Sequence, residues 1–359
     1  MFTQLLTLFL IFPSFLQADT ECPLVTNSSN NDRRTDKTTF RLVQYNVEWL
    51  FIDYYSSANC PGNGCTWKTI EDAETHMSYV SNVLTELDPD LVNFCEVEGC
   101  DELNMVINEL KLNEIGINKN RLNENGETTY KPYLKKGTDT STGQNVGLIT
   151  KVDPLVSLYR TETKVSYPLT GSKCGYTGSP GSSGVSKHYI TEYNFGNLKT
   201  AFIAAHLLAY PTDPARCAQR EAQAQVLQYV VYNYILKGYE IILLGDMNDF
   251  DAEVLDINSD KPISKVLDIL KGLDGEYKGK YTLTNVASRV AQNERFSDWW
   301  DSDNNCETSS QKDYSMIDHI LVTSKISSKI INAYIYHEYR EYCGKWNSDH
   351  YPVVVDFAF

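Results

Sequence analysis

Five apolar, β-branched runs in this chain each end or begin at a polar group able to do chemistry. Asn46 and Glu48 close the run that starts at Arg41. Glu96 follows Leu91–Cys95, His206 follows Ala201–Ala205, and Gly245-Asp246-Met247-Asn248 follows Glu240–Leu244. Near the end of the chain, Ser348-Asp349-His350 opens the run Tyr351–Val355. Buried strands that present such groups at their tips form the rim of a catalytic cavity. Asp246 and Asn248, two apart, project the same way and can orient a water and hold a phosphoryl oxygen. Glu96 is a hard oxygen ligand suited to Mg²⁺. Asn46 and Glu48 share one strand face beside it. Taken singly, each has a plainer account: an Asx-turn for Asp246 and Asn248, a helix cap or surface ion pair for Glu96, a buried amide for Asn46. A lone strand-end histidine is usually structural.

Asp318, inside the apolar run Met316–Leu321, changes that balance. A buried carboxylate needs a partner, and an imidazole is its natural one. Such a pair fixes the tautomer and leaves the second ring nitrogen for proton transfer. His206 and His350, both at the ends of apolar runs, are the candidate histidines. His319 points to the opposite strand face and is expected to be structural, with His76, His188 and His337 at surface or packing positions.

The intervening pattern supplies the elements. Strands are expected over 41–47, 90–95, 145–150, 198–205, 240–244, 315–322 and 353–357. Helices are expected over 69–87, 101–110, 213–236 and 263–270, the first stopping before Pro89 and the third opening with Asp213-Pro214. The Gly/Ser-rich stretch 171–184 reads as a loop. Strands and helices in this order imply two sheets packed together with helices outside. No composition shift splits the chain.

Residues 1–18 carry a short apolar core, Leu5–Phe12, and a small residue, Ala18, as in a secretory leader. A polar arm over 19–38 is expected to be flexible, with one domain over 39–359. Asn27-Ser28-Ser29 is a glycosylation sequon. Nine cysteines in an exported chain favour disulfides. Cys60 and Cys65 are placed to close a local loop, Cys306 and Cys343 lie in polar loops, and Cys95 is the candidate free thiol. The net charge of −15 argues against a broad basic face for tight nucleic-acid binding. A bound divalent cation can still supply positive charge locally. No segment after the leader is long enough to span a membrane, so no stable membrane insertion is expected.

In order, Asn46-Val47-Glu48, Glu96, His206-Leu207, Gly245-Asp246-Met247-Asn248, Asp318-His319-Ile320-Leu321 and Ser348-Asp349-His350 resemble the endonuclease/exonuclease/phosphatase superfamily over about residues 40–357. The resemblance implies a DNase I-like, four-layered α/β sandwich: two mixed sheets packed face to face and flanked by helices. It implies Mg²⁺-dependent phosphoester hydrolysis, with Mn²⁺ or Ca²⁺ as possible substitutes. Carried over by position, Glu96 is the principal metal ligand with Asn46, Glu48 and Asp349 nearby. Asp246 and Asn248 orient water and phosphate, Asp318 orients His350, and His206 matches the second histidine of the DNase I and sphingomyelinase branches.

The secretory context and His206 favour a nuclease acting transiently on DNA. The alternative is a secreted neutral sphingomyelinase-type phosphodiesterase, for which Trp299-Trp300 is the argument: the pair either anchors at a lipid interface or packs over a sheet edge. Arg216 and Arg220, four apart on a helix, either contact substrate phosphates or pair with acidic groups. A binding protein that has lost catalysis would lack a metal or histidine position, and none is missing.

Overall fold

Along the first strand, Leu42, Gln44 and Asn46 face one way and Val43, Tyr45 and Val47 the other, and all six are buried. A strand buried on both faces needs a layer on each side, and the rest of the fold supplies them. The computed structural model describes residues 21–25, 32–54, 65–117, 129–301, 311–338 and 347–359, except the side chains of 112–117. The expected leader, the Asn27 sequon, Cys60, Cys306 and Cys343 lie outside the described residues.

In chain order the elements are β1 (Phe40–Leu50), α1 (Ile70–Leu87), β2 (Leu91–Val97), α2 (Cys100–Ile117), β3 (Lys131–Leu134), β4 (Asn145–Thr150), β5 (Val165–Tyr167) and β6 (Gly181–Ser183). Then come β7 (Lys187–Phe195), β8 (Leu198–His206), α3 (Pro214–Leu236), β9 (Glu240–Asp246), α4 (Val266–Lys271), β10 (Thr284–Asn285) and β11 (Asp298–Trp299). The chain closes with β12 (Tyr314–Ser315), β13 (Asp318–Val322), α5 (Ser324–Ser327), β14 (Ile330–Ile335) and β15 (Val353–Phe357). One six-stranded sheet has the order β14-β15-β1-β2-β4-β3, and a five-stranded sheet has the order β10-β13-β9-β8-β7. Each contains one parallel pair, β1 with β2 and β8 with β9, among antiparallel neighbours, so both are mixed.

Leu42, Leu148, Val353 and Val355 of the first sheet meet Phe202, Ala204, Ile242, Leu244 and Ile320 of the second in the core between the sheets. On the outer side of the first sheet, Val43, Tyr45, Val92 and Phe94 pack against Met77, Val80 and Leu84 of α1 and Leu103 and Val106 of α2. On the outer side of the second, Ile203, Ala205, Ile241 and Leu243 pack against Val226, Leu227 and Val231 of α3 and Leu267 and Leu270 of α4. Each such buried aliphatic side chain contributes roughly 1.5–3 kcal/mol. The four-layered sandwich expected from the sequence is the fold observed.

The local signals behave as chemistry requires. Thr69 and Asp72 form a reciprocal capping box at α1, and the helix ends at Asp88 in the left-handed region before Pro89. Asp213 caps α3 with Pro214 at its first turn. Differences are informative. The helix expected to stop at Leu110 runs on to Ile117. The strand expected over 315–322 is broken, because the Ile317 and Asp318 amides turn to Ser297 Oγ rather than to a neighbouring strand. The strands β3, β5, β6, β7, β10, β11 and β14 were not expected from the pattern, and β6 lies within the stretch 171–184 that reads as a loop.

The arm expected to be flexible is anchored where it is described. Cys22 is buried and disulfide-bonded to Cys100, and Arg33 pairs with Asp153 at 2.6 Å. A second disulfide, Cys174–Cys217, ties the 171–184 loop to α3. Cys65 is also disulfide-bonded, and Cys95 is free and buried.

Candidate active site

The inward positions of the strands converge at one end of the sandwich. Inward-facing Phe202 and Ala204 put His206 on the same side at the tip of β8, as Ile242 and Leu244 do for Asp246 on β9. His206 is paired with Asp246 in the parallel register, and Asp318 with Asp246 in the antiparallel one. Across the inter-sheet space, Asn46 is paired with Cys95 at the end of β1 and β2.

Beyond that pair the ladder slips: pairing resumes only at Leu50 with Val97, and β2 also slips against β4 between Cys95 and Val97. Glu48, Trp49 and Glu96 lie in this irregularity with φ of 45°, 53° and 68°. Such values are uncommon outside glycine, and bulges of this kind re-aim side chains beside functional sites. Asn248 shares the left-handed conformation at φ 49°. Gly245 has no alternative: a Cβ there would lie 1.7 Å from the Ala205 carbonyl oxygen.

The contacts form one connected set. Asn46 Nδ2 donates to Asp246 Oδ2 at 3.0 Å and to Glu96 Oε1 at 3.3 Å. The Trp49 amide donates to Glu96 Oε2 at 3.1 Å, and the Asp349 amide donates to Glu48 Oε2 at 3.1 Å. Asp246 Oδ1 accepts from the Asn248 amide at 2.8 Å. His206 Nε2 lies 3.4 Å from Asp246 Oδ2 and 3.8 Å from Glu96 Oε1. His350 Nδ1 is 2.7 Å from Asp318 Oδ2, while Nε2 is 3.5 Å from Asp298 Oδ1 and 4.0 Å from Asp246 Oδ2. Asp318 is fixed in turn by Ser297 Oγ at 2.9 Å and Gln44 Nε2 at 3.1 Å. Behind Gln44 the chain continues through Asn93 to the Tyr189 hydroxyl.

Electrostatics separate the two histidines. Burial opposes the His350 imidazolium, but Asp318, Asp349 and Asp298 more than offset it, so its pKa lies well above the ordinary value. His206 is pushed well below, by burial first and then by Lys187 and His350. Burial and the Asp318 charge push Asp246 up to about 8, with His350 pulling the other way. Asp298 is pushed up to about 6 by burial, and burial also pushes Asp349 up. Carboxylates crowded at low dielectric are unfavourable without a cation. Glu96, Glu48 and Asn46 nearby add oxygen atoms of the hard type that suits Mg²⁺ or Ca²⁺.

Asp246, Asn248, Glu96, His206, Asp349 and His350 line a cavity of about 460 Å³. Asp318 lies behind His350, fully buried. Of the two roles expected for Arg220, pairing with an acidic group is the one observed and substrate contact is not: it is completely buried, bonded to Asp249 at 3.1 Å and to the carbonyls of Leu208, Ala209, Tyr210 and Pro211. Its donors are consumed by protein, so it does not contact substrate. Arg216 is exposed and outside the cavity lining, so the two arginines do not act together. Trp299 and Trp300 also part: the first is buried, the second 66% exposed. Sequence reasoning missed Ser297, Gln44, Lys187 and above all Asp298, which bridges to His350 across the chain. His319 is buried and bonded to the Asp249 carbonyl and to Asn285, a structural role as expected. Elsewhere Cys174, Cys217 and Glu221 bring ligand atoms within 4.8 Å of one another, but both sulfurs are spent in the disulfide.

No protein-family model matches the chain, and no curated protein matches it in sequence. Solved structures do match. An endonuclease/exonuclease/phosphatase family protein from Leptotrichia buccalis superposes with a TM-score of 0.51 at 12% identity, covering 89% of this chain and 100% of its own. A 3′ phosphatase from Neisseria, bound to product DNA hairpin, gives 0.52 at 14% identity with the same coverage. This chain has the endonuclease/exonuclease/phosphatase fold. An AP endonuclease from Archaeoglobus fulgidus gives 0.50 at 12% identity, again over 89% of this chain and 100% of that one. At such identities the likeness establishes the endonuclease/exonuclease/phosphatase fold, and the site chemistry rests on the residues themselves.

Proposed function

We propose that this chain is a divalent-metal-dependent phosphodiester hydrolase acting on nucleic acid, DNA foremost, with its catalytic domain over residues 39–359 and a leader over 1–18 that directs it out of the cell. The observation that carries the reading is the convergence of an Asp318–His350 pair, His206, Asp246 with Asn248, and the Glu96 group on one cavity. The Neisseria protein holding a DNA product and the disulfides Cys22–Cys100 and Cys174–Cys217 support the substrate and the compartment respectively.

Glu96, with Asn46, Glu48 and Asp349, would hold the cation. When bound, the cation would polarise a phosphoryl oxygen and offset negative charge. His350, kept charged by Asp318, faces the same cavity and stabilises charge growing on the phosphorane. Asp246 and Asn248 orient the attacking water. His206, held neutral, donates a hydrogen bond toward the leaving oxygen. Ser297 and Gln44 hold Asp318 so that His350 keeps one orientation.

Incubation with plasmid DNA in Mg²⁺ or EDTA tests this: nicking in Mg²⁺ and none in EDTA is expected. Intact plasmid with Mg²⁺, Mn²⁺ and Ca²⁺ alike would overturn it. A phospholipid phosphodiesterase is the second reading, favoured by the exposed Trp300 at the cavity mouth. Labelled sphingomyelin in the same assay separates the two. Among the described residues, no helix is long and apolar enough to cross a membrane.

A further inference from the structure

Two large aromatic side chains at the cavity mouth are left in water. Tyr210 is 62% exposed and Trp300 is 66% exposed, and both line the cavity that holds His206 and His350. Neither ring contributes to a hydrophobic core. Tyr210 has a φ of 70°, an unfavourable conformation for a bulky residue. The buried Arg220 holds it there: the guanidinium binds four consecutive carbonyls from Leu208 to Pro211, Tyr210 among them. Trp300 is placed by its amide, which donates to the Asp313 carbonyl at 2.8 Å, while Trp299 beside it is buried. A fully buried cation thus keeps one ring outward in a strained loop, and a short strand keeps the other.

The charges around these rings decide what they face. Among the described residues, Lys312 is the one lysine in the cavity lining, and no arginine lines it. Asp260 stands at the same mouth, and the chain carries a net charge of −15. Duplex DNA is gripped mainly by cations on its phosphates, and the described residues of the mouth offer only Lys312. Aromatic faces, by contrast, bind unstacked bases through stacking that every base offers, whatever its sequence. A base within a duplex is already stacked and does not present its face.

We propose that Tyr210 and Trp300 are base-stacking jaws that select unpaired nucleotides, so that the substrate is single-stranded nucleic acid or the frayed end of a duplex. The inference rests on the hydrolase reading above for its chemistry, and its test includes binding, which does not. Anisotropy of a labelled single-stranded oligonucleotide, the same strand annealed to its complement, and a strand with abasic sugars reports affinity in EDTA. Hydrolysis of the same set in Mg²⁺ reports kcat and KM.

The single strand is expected to bind and to be cleaved best, and the abasic strand to lose the advantage. Tyr210→Ala and Trp300→Ala should each weaken single-strand binding by roughly tenfold or more, through KM rather than kcat. Tyr210→Phe should retain most of the affinity. Both rings are largely in water, so an unchanged melting temperature is expected to accompany the loss. Among the described residues the mouth carries one lysine, so a shallow salt dependence is expected.

Equal binding of single and double strands, unchanged in both alanine variants, would overturn the proposal while leaving the hydrolase reading intact. Aromatic-dependent binding without cleavage in any divalent cation would support the jaws and sink the hydrolase reading. If Trp300→Ala abolished capture of sphingomyelin vesicles and left oligonucleotide binding unchanged, the mouth would be a lipid contact and the proposal wrong.

Discussion

Asp318→Asn removes one charge without removing a side chain, and the surroundings show what must follow. The Asp318 carboxylate accepts from Ser297 Oγ at 2.9 Å and Gln44 Nε2 at 3.1 Å, and meets His350 Nδ1 at 2.7 Å. An asparagine keeps a carbonyl oxygen for one of these and turns its NH₂ toward another. If the NH₂ faces His350, it donates to Nδ1 and forces the proton onto Nε2. If it faces Gln44, two donors oppose each other in a fully buried site. Either way His350 loses the anion that sustains its charge, and each pKa unit lost is about 1.4 kcal/mol less support for the imidazolium. Because the folded-state pKa of His350 is raised, its stabilisation is complete below the unfolded value of about 6.5 and is lost as pH rises through the folded value. The stability gap between wild type and variant should therefore be widest in mild acid and close at alkaline pH. Loss of a positioned acid–base group should lower kcat/KM on the order of 10²–10⁴-fold at neutral pH. The alkaline limb of the pH–rate profile should move down toward the ordinary histidine value. The assay is kcat/KM for DNA hydrolysis from mild acid to alkaline pH, with circular dichroism and thermal melts on the same samples. A folded variant whose kcat/KM and pH profile match wild type would refute the reasoning.

Four other perturbations follow from the same structure. Asp246 is raised to about 8, so the folded state binds more protons than the unfolded one, and stability should fall as pH climbs from about 4 toward 8. A divalent cation should relieve this, so the Mg²⁺-induced rise in melting temperature should be larger at pH 8 than at pH 5; calorimetry showing no cation effect at either pH would contradict it. Glu96→Gln should abolish both that thermal shift and most hydrolysis while circular dichroism stays unchanged. Arg220→Met should cost about 3–5 kcal/mol by stranding Asp249 and four carbonyls, whereas Arg216→Ala should be nearly neutral; urea melts distinguish them. Gly245→Ala should cost about 2–3 kcal/mol and depress activity, because the new Cβ meets the Ala205 carbonyl next to the His206–Asp246 pair. Equal urea midpoints for Gly245→Ala and wild type would count against that geometry.

Much of the site was legible because strand geometry is local. With a period of two, Phe202, Ala204 and His206 must share a face, as must Ile242, Leu244 and Asp246, so the chain alone shows polar groups capping inward rows. The starts of α1 and α3 were legible for the same reason, since the Thr69–Asp72 box and the Asp213-Pro214 cap involve neighbours in sequence. What faces what across the fold was not. Asp298 reads as one more acid beside two tryptophans until the bridge to His350 brings it within 3.5 Å of Nε2. The arginine pair on α3 fails for a related reason: helical spacing says that Arg216 and Arg220 are neighbours, but not that carbonyls 208–211 wait for one of them. Cys22 finds Cys100 across 78 residues of sequence, a distance no local rule spans. The bulge that turns Glu96 into the cavity depends on slipped pairing between strands and leaves no signature in either strand alone. Local sequence determined which groups stand at the strand tips. Tertiary pairing decided which of them meet, because register, burial and charge compensation belong to two segments at once.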